Sequence, residues 1–386
     1  MRLLFVGSNP GGGGTESHFI ILARALAEAG HDVYAAVRPD DFIHRGLARD
    51  PRIRLFPLEF RSRRDLRAMR HLSRLAKSIE PDWIVGAFKA EYWALSLVAK
   101  SVRVPLVLFS HLDQRIRPLM LSPLTRLVRT VIVPSEYLRT RSIERGLPPS
   151  RVAVLPNPID VASLRPDPAV RARVRASLGI RDDAVVLGYA GRFEPPKGVE
   201  TLALALSEAM PRHPRLHALW VGHGRLDQRL RQIASEAGFP NRHHWMPWLD
   251  DVLPAYAAMD MLALPSVGSE TFGRVLIEAE ACGLPVIGSR NGGIPEAMIE
   301  NQTGRLVPPG DVAAWASAIG DLASNGVLRR RYGLAARGFA RRFASERIAD
   351  GFIRLLQSVE QRPAAPRTVA IRPAAAITLA RKVGAD

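Results

Sequence analysis

Short apolar runs alternate with helix-length segments along this chain, and that alternation strongly limits how it can fold. The first five runs lie at 3–6, 33–37, 83–87, 106–110 and 131–133. Five more lie at 184–190, 218–221, 243–246, 261–264 and 285–288. Buried parallel strands are apolar in this way, and each pair needs a crossover, usually a helix, between its members. The pattern therefore predicts two Rossmann-like, doubly wound α/β domains with helices on both sheet faces.

The boundary between the two domains is predicted in a proline-rich segment near residues 157–168, where the alternation is interrupted. We assign residues 1–165 to an N-terminal domain and residues 166–343 to a second one. A long helix is predicted at 344–360. The remaining residues, 361–386, are rich in Pro, Ala and Arg, and this composition predicts a mobile tail.

The composition is that of an ordinary water-soluble protein. Apolar residues make up 47% of the 386 residues and charged residues 24%. The longest apolar runs fall short of the roughly 18 residues that a membrane span requires. A single cysteine, Cys282, cannot form an internal disulfide and fits a reducing compartment. We therefore expect a cytoplasmic protein, either free or peripheral on the inner face of the membrane.

Positive charge is concentrated in the first half of the chain. The formal net charge is +17, of which residues 1–165 contribute +11 (26 Lys and Arg less 15 Asp and Glu). Such an excess favours an anionic partner, for example a membrane surface or a lipid diphosphate. An arginine-rich genome would produce the same excess without any such partner. Aromatic residues are only 6% and no nucleic-acid-binding module is recognisable, which argues against nucleic acid.

Two acids, Glu270 and Glu278, follow the apolar run at 259–265. A turn is predicted after that run and a helix at 272–281, which places Glu270 at or just before the helix start and Glu278 about two turns further on. A helix start offers free N–H groups to an anionic or polyhydroxylated ligand, and carboxylates accept hydrogen bonds from sugar hydroxyls. Taken alone, the two acids are equally compatible with a helix cap and a solvated helix residue.

Two loops have the composition of phosphate-binding loops. The first, residues 7–16, holds four consecutive glycines, which allow a ligand to approach the backbone closely. It does not complete the dinucleotide pattern G-x-G-x-x-G, because Glu16 stands at the last glycine position. A flexible loop without a ligand is the alternative. In the second, residues 191–198, Arg192 and Lys197 place two cations beside a predicted helix start, which suits a departing diphosphate.

The segment 268–278, continued through 281–288 and 291–296, closely resembles the signature of the retaining glycosyltransferases of family 4, which have the GT-B fold. The resemblance extends over most of the chain to about residue 360, and it implies that the helix at 344–360 crosses back to pack on the N-terminal domain. It implies that Glu270 meets the donor sugar and Glu278 the nucleotide ribose. It also implies that Gly13 and Gly14 lie against the donor phosphate, Gly14 most closely.

The same resemblance assigns further residues to the site. Arg192 and Lys197 match the phosphate-binding pair of the family. His111 stands where family members place a histidine that faces sugar and acceptor. Donor-binding positions also fall on a Gly-x-Gly turn and on the stretch after the first acid, namely Gly222, Gly224, Thr271, Phe272 and Gly273. No D-x-D triplet occurs, so we expect no metal and no cofactor besides the nucleotide sugar.

Two tryptophans lie where the family has its nucleobase loop. Proline at position 247 replaces a common glycine there, so the sequence does not identify the base. Core packing is expected for Trp245, whereas Trp248 is compatible with either core packing or a base contact.

Basic residues at spacings of three and four predict one charged face of a helix: Arg63, Arg67, Arg70, Arg74 and Lys77. Such a face is either solvated or docks on anionic lipid.

The resemblance implies transfer of a sugar from a nucleoside diphosphate to a glycan or lipid-linked acceptor, giving an α-glycosidic bond without a metal. Three alternatives stay open at this point. The acceptor could be a soluble small molecule, the protein could be an NAD-dependent oxidoreductase, or it could bind a sugar nucleotide without catalysis.

Overall fold

The computed structural model describes residues 1–8, 10–62, 64–113 and 128–361. Its strands form two parallel sheets, one of seven strands and one of six. The predicted tail, apart from residue 361, lies outside the described residues, as does Arg63. Each sheet is covered by helices on both faces, as the alternation of apolar runs predicts, and the two sheets belong to successive parts of the chain.

The first sheet has the strand order β3-β2-β1-β4-β5-β6-β7. Its strands are β1 Arg2–Gly7, β2 Asp32–Val37, β3 Arg54–Pro57, β4 Trp83–Gly86, β5 Leu106–Phe109, β6 Thr130–Val133 and β7 Val152–Val154. The second sheet has the order β10-β9-β8-β11-β12-β13. Its strands are β8 Val185–Ala190, β9 Leu216–Val221, β10 His243–Met246, β11 Met261–Leu264, β12 Val286–Ser289 and β13 Gly304–Val307.

Three of these strands were not predicted: β3, β7 and β13. Each lies at an edge of its sheet and is only partly buried. An edge strand packs against a neighbour on one side only, so its sequence does not need the continuous apolar run that marks an interior strand.

The α-helices of the described residues are α1 Gly14–Glu28, α2 Phe42–Leu47, α3 Leu66–Ile79, α4 Tyr92–Val102, α5 Glu136–Glu144, α6 Pro168–Ser177, α7 Val199–Ala209, α8 Asp227–Glu236, α9 Leu253–Ala258, α10 Arg274–Ala281, α11 Val312–Ser324, α12 Gly326–Ala340 and α13 Ser345–Glu360. None of them is long and apolar enough to cross a bilayer. The predicted boundary at 165/166 falls between the two sheets, just before α6.

Two helix starts near the cleft differ from the prediction. Helix α10 begins at Arg274 rather than at 272, because Gly273 adopts a left-handed φ of 96° that a right-handed helix cannot include. Helix α1 begins at Gly14, within the predicted loop 7–16 and directly after an extended Gly13. The glycines of the first loop therefore run straight into a helix N-terminus. Glu270 lies four residues before the first residue of α10.

The last helix, α13, packs on the N-terminal domain. Its apolar residues Phe352 and Leu356 are fully buried in the same core as β1 and α1. At its end, Glu360 accepts a hydrogen bond from Trp83 Nε1 at 2.8 Å. At its start, the backbone of Ala344 forms a bridge with Ile159 in the connection between the domains. The chain thus crosses between the domains a second time.

Candidate active site

The cleft between the domains is bordered by the carboxyl ends of strands from both sheets. The loops after β1 and β5 face the loops after β8 and β11, the usual ligand-binding edge of parallel α/β sheets. A cavity of about 430 Å³ lies among them, lined by the glycine loop, His111, Arg192, Lys197 and Glu270. A smaller one of about 190 Å³ continues from it toward Trp248 and Glu278. The two cavities share Gly12–Gly14, Gly191 and Arg274.

Glu270 forms an ion pair with Lys197 inside the larger cavity. Lys197 Nζ donates to Glu270 Oε2 at 2.6 Å, and the hydroxyl of Ser266 donates to the same oxygen at 3.2 Å. The carboxylate side chain is 16% exposed and the lysine 27%. Both groups are thus held in place while remaining accessible from the cleft. Neither the pairing nor its geometry could be read from the sequence, in which 72 residues separate the two.

A close backbone contact brings Lys197 to this position. Gly198, with φ of 66°, packs so tightly that a Cβ atom there would lie 1.9 Å from the carbonyl oxygen of Pro265. Any residue other than glycine would push the 195–198 turn away from the loop that carries Glu270. Arg192 precedes this turn and is exposed on the cavity wall. Its carbonyl accepts from the Tyr189 hydroxyl, but within the described residues its side chain makes no hydrogen bond or ion pair, so the guanidinium is available to a ligand.

Glu278 has two side-chain partners within its own domain. Arg274 Nε donates to Oε1 at 2.6 Å, and the hydroxyl of Tyr256 donates to Oε2 at 3.0 Å. Burial, followed by the neighbouring Glu278, raises the pKa of Tyr256 well above its usual value, so the phenol stays protonated as a donor. Glu278 is therefore a fixed acceptor at the wall of the smaller cavity.

Arg274 also reaches across the cleft to the glycine loop. Its NH1 group donates to the carbonyl of Gly14 at 3.3 Å, and its Cδ lies 3.9 Å from where a Gly14 Cβ would stand. The side chain thus joins the start of α1 to Glu278, with Gly13 and Gly14 over the shared part of the cavities. Donor contact by these two glycines stays a prediction, but the loop is adjacent to both acids.

His111 and His18 form a neutral pair on the N-terminal wall. Their ring centroids are 4.6 Å apart, and His18 Nδ1 lies 3.1 Å from Asn157 Oδ1. Burial, with a further contribution from Arg274, lowers the pKa of His111 to about 4. Burial, with His111 and Arg274 adding to it, also lowers the pKa of His18 well below its usual range. The Nε2 atom of each ring is buried and has no hydrogen-bond partner among the described residues.

Other predicted donor-binding residues, Phe272, Gly222 and Gly224, mainly contact neighbouring protein groups. Phe272 is 2% exposed, and its ring packs edge-on against Phe343 in the core, so only its backbone borders the cavity. Gly222 and Gly224 pack against the backbone of residues 191–193 beneath the cavity. Contact of these two glycines with the donor stays a prediction. In the structure they bring two loops of the second domain into close contact.

The two tryptophans of the predicted nucleobase loop, Trp245 and Trp248, differ in their surroundings. Trp245 is partly buried, stacks on Trp220 with centroids 5.6 Å apart, and carries the Arg231 guanidinium 4.2 Å above its ring. Trp248 is 42% exposed and lines both cavities. Trp248 is therefore available for stacking with a ligand, whereas Trp245 is a packing residue.

Sequence reasoning missed Arg274 and Tyr256. Arg274 could have been found, because a basic residue four positions before an acid on a predicted helix marks an ion pair. Tyr256 could not, because it lies on a different helix, α9, and meets Glu278 only in the folded domain.

The predicted basic face lies on α3, away from the cleft. Arg67, Arg70, Arg74 and Lys77 are exposed along it, while Leu72 and Leu75 on the opposite side are buried. Leu66 departs from the apolar side that its spacing indicates and is 59% exposed at the helix start.

Two doubly wound domains facing a cleft, with paired acids on one wall and a glycine loop on the other, define a GT-B-type protein. Two family models match successive parts of the chain: "Glycosyltransferase Family 4" at residues 12–163 and "Glycosyl transferases group 1" at residues 184–325. Together they cover more than half of its length. The chain belongs to the family 4, group 1 glycosyltransferases.

Named relatives agree with this assignment. The chain is 35% identical to a D-inositol 3-phosphate glycosyltransferase of Saccharomonospora viridis, over 53% of the chain and 49% of that relative. It is 34% identical to the GDP-mannose-dependent alpha-(1-6)-phosphatidylinositol monomannoside mannosyltransferase of Mycolicibacterium smegmatis, over 53% of the chain and 56% of the relative. The chain thus spans about half the length of these curated relatives.

Solved structures show the same fold. The Anabaena protein HepE, in complex with UDP and glucose, superposes with a TM-score of 0.79 at 23% identity, covering 93% of this chain and 100% of that one. A glycosyltransferase from Rickettsia africae superposes with a TM-score of 0.83 at 18% identity, covering 94% and 99%. The predicted GT-B fold is confirmed.

Proposed function

We propose that this protein transfers a sugar from a nucleoside-diphosphate sugar to an acceptor, with retention of the anomeric configuration. One observation carries the proposal: Glu270 and Glu278 border one continuous cleft, with Lys197 and Arg192 beside the first acid and the glycine loop opposite. The smaller cavity suits the nucleoside, with Glu278 accepting from the ribose hydroxyls. The larger one suits the diphosphate and the sugar.

The reaction that fits these groups is displacement on one face of the sugar. The bond between the anomeric carbon and the diphosphate oxygen breaks, and the acceptor oxygen bonds to the same face of that carbon. The departing diphosphate takes the acceptor proton. Arg192, Lys197 and the N–H groups at the start of α1 stabilise the charge that grows on the diphosphate. Neutral His111 accepts a hydrogen bond from a sugar hydroxyl through its free Nε2.

Metal independence is part of the proposal. It is supported by the two cations at the predicted diphosphate position and by the lack of a D-x-D triplet in the sequence. A guanidinium and an ammonium supply the positive charge that a metal ion supplies elsewhere. Turnover should therefore persist in EDTA, and complete loss that manganese restores would contradict this part.

The acceptor proposed for the first trial is a phosphorylated inositol. The names of both relatives refer to a phosphorylated inositol. It is free inositol 3-phosphate for the Saccharomonospora viridis enzyme and a phosphatidylinositol lipid for the Mycolicibacterium smegmatis enzyme. A lipid-linked acceptor matches the prediction made from the basic N-terminal domain, and a free one matches its stated rival. Assays with D-inositol 3-phosphate and with phosphatidylinositol mannoside in detergent distinguish them.

Membrane docking through α3 would favour the lipid-linked acceptor. Each basic residue near an anionic bilayer contributes about 1 kcal/mol of attraction, which fades with salt. The protein should sediment with anionic vesicles at low salt, and charge reversal at Arg67, Arg70 and Arg74 should release it. Charge reversal at three exposed arginines of the second domain is the matched control: Arg212, Arg215 and Arg330. Equal release by both triple variants would show a general charge effect.

The function is tested by release of nucleoside diphosphate from UDP-glucose and from GDP-mannose with the acceptors above, and the oxidoreductase alternative is tested by oxidation of NADH. Acceptor-dependent release of one nucleoside diphosphate, with an α-linked product by NMR, is the expected result. A product of inverted configuration would contradict retention. Family membership favours glycosyl transfer over the oxidoreductase alternative. Binding of a sugar nucleotide without turnover, under all acceptors, would favour the non-catalytic alternative.

A further inference from the structure

The loop that carries Glu270 is hydrogen-bonded to side chains of the N-terminal domain. Just before Glu270, the hydroxyl of Ser269 donates to Asp113 Oδ2 at 2.7 Å and lies 3.1 Å from the hydroxyl of Tyr137. Tyr137 also donates to Asp113 Oδ2, at 3.2 Å. Asp113 belongs to the segment after β5 and Tyr137 to α5, both in the N-terminal domain.

The residue just after Glu270 is held from the same side. Thr271 Oγ1 donates to the carbonyl of His111 at 3.0 Å. The carbonyl of Thr271 accepts from Ser135 Oγ at 2.6 Å. Glu270 itself points away, to Lys197 of its own domain. Both neighbours of the acid are therefore fixed by the N-terminal domain, while the acid remains directed into the cleft.

A carboxylate of the second domain completes the contact. Glu296 accepts from the backbone N–H groups of Glu136 and Tyr137, each at 2.8 Å, at the first turn of α5. These are free donors at a positive helix end, which favours a carboxylate. Ser135, the N-cap of α5, accepts from Leu138 N as well, so the same helix turn supplies both cross-domain contacts.

Glu296 is rigidly linked to the Glu270 loop. The N–H of Gly293 donates to the carbonyl of Glu270 at 2.8 Å, and Asn291 Nδ2 donates to the carbonyl of Gly268 at 2.6 Å. The segment 291–296 and the loop 265–273 thus form one unit, which α5 holds at two points.

We infer that Ser135, Tyr137 and Glu296 form an interdomain clasp that positions Glu270 when the cleft is closed. The inference rests on the proposed function and extends it to residues outside the cavities. The three are positioning residues, since none lines either cavity on the cleft. Separation of the domains would break the bonds to Ser269, Thr271 and Glu296 together, and would leave the backbone beside Glu270 held only from its own domain. Closure and correct placement of the acid are therefore one event.

Kinetics of three variants test the clasp: Ser135→Ala, Tyr137→Phe and Glu296→Ala. Ser135→Ala and Glu296→Ala should each lower kcat about tenfold or more, because a displaced catalytic group costs rate rather than binding. The affinity for the nucleotide, measured by calorimetry, should change by less than about twofold, since the nucleotide contacts lie elsewhere. Ser135→Thr keeps the hydroxyl and should retain most of the activity. Tyr137→Phe should have the smallest effect.

Asn325→Ala is the matched control. Asn325 caps α12 through a bond from Leu328 N at 2.9 Å, as Ser135 caps α5, but among the described residues no hydrogen bond joins its side chain to the other domain. Both alanine variants lose a helix cap, so their melting temperatures should fall alike. Only Ser135→Ala should lose kcat. Equal kcat in the two variants, with both folded, would overturn the clasp.

Small-angle scattering of the full chain separates this inference from the proposed function. Without ligand, Glu296→Ala should have a larger radius of gyration than the wild type, and added nucleotide should reduce the difference. An unchanged radius together with an unchanged kcat would overturn the clasp while leaving glycosyl transfer intact. An absence of turnover with every donor would contradict the proposed function, and the scattering comparison would still test the clasp.

Discussion

The two walls of the cleft are built from opposite kinds of chemistry. The wall of the second domain consists of charged pairs, Lys197 with Glu270 and Arg274 with Glu278, each at 2.6 Å. The wall of the N-terminal domain consists largely of glycine backbone and the neutral His111, with neutral His18 packed behind it, and it carries one acid, Glu16. A charged wall can bind and stabilise a diphosphate and a ribose. The described residues that line the larger cavity on the N-terminal side include no Lys or Arg, so this wall accommodates an uncharged sugar without competing for the phosphates.

Ion pairs on the second wall also serve the ligand-free protein. A partly buried carboxylate or ammonium left alone carries a desolvation cost, and pairing offsets part of it. When a diphosphate enters, Lys197 can exchange its carboxylate partner for phosphate oxygens, which frees Glu270 to meet a sugar hydroxyl. On the opposite wall, burial keeps both imidazoles uncharged, so they need no counter-ion.

Substitution of Glu270 should lower kcat more than any other substitution proposed here. A small effect would contradict the role given to the charged wall. Glu270→Ala is expected to lower kcat by about 100-fold or more, because a hydrogen bond to the reacting sugar is lost in the transition state. Steady-state kinetics measure it. The variant should remain folded although Lys197 has lost its partner, and a melting curve checks this. Near wild-type kcat in a folded variant would mean that the acid does not meet the donor sugar.

Lys197→Ala should rank second. Loss of one of two cations beside the diphosphate is expected to lower kcat between about 10-fold and 100-fold, since Arg192 remains. Added magnesium should not restore activity. The assay is repeated with EDTA on wild type and variant. Rescue of the variant by magnesium would show that the site accepts a metal in place of the ammonium.

The second acid should affect binding more than rate. Glu278→Ala is expected to raise the donor KM about tenfold with kcat nearly unchanged, because a ribose contact is equally strong in ground and transition states. Tyr256→Phe removes the hydrogen bond that the phenol donates to the Glu278 carboxylate; because Arg274 still holds that acid, KM should rise only about fivefold, equivalent to about 1 kcal/mol. A fall in kcat alone for Glu278→Ala would place this residue at the sugar instead.

The buried histidine behind the N-terminal wall should affect the pH dependence of stability. The pKa of His18 in the folded protein lies below its unfolded value, because burial, His111 and Arg274 penalise the imidazolium. The unfolded state therefore binds more protons, and the stability present above about pH 6.5 is lost as the pH falls. Buried Glu91 acts in the opposite sense: burial raises its pKa to about 7, so its contribution is lost as the pH rises from about 4.5 toward 7.

A variant isolates the histidine contribution from that of the buried acid. His18→Gln keeps a polar side chain but cannot be charged, so its melting temperature should fall less than that of the wild type between pH 7 and pH 5. Between pH 7 and pH 5, the wild type should lose on the order of 1 kcal/mol more of its unfolding free energy than His18→Gln does. Parallel pH profiles for the two proteins, measured by differential scanning fluorimetry, would show that His18 does not titrate differently on folding.

Much of the architecture could be predicted from local sequence. Interior strands of parallel sheets are apolar along their whole length, so most of them appear directly in the sequence. Edge strands such as Arg54–Pro57 do not, because they are buried on one side only. The candidate acids could be found because they follow an interior strand within one segment, where spacing along the chain is close to spacing in the fold.

What only the tertiary structure decided is which groups meet across the chain. The sequence by itself determined two α/β domains, the paired acids and the two phosphate-type loops. It could not show that Lys197 pairs with Glu270, that Arg274 joins Gly14 to Glu278, or that Ser135 holds the loop beside Glu270. These contacts depend on how two sheets and their loops pack and how the domains close. Their residues are far apart along the chain, and side-chain type alone carries no information about a partner that distant.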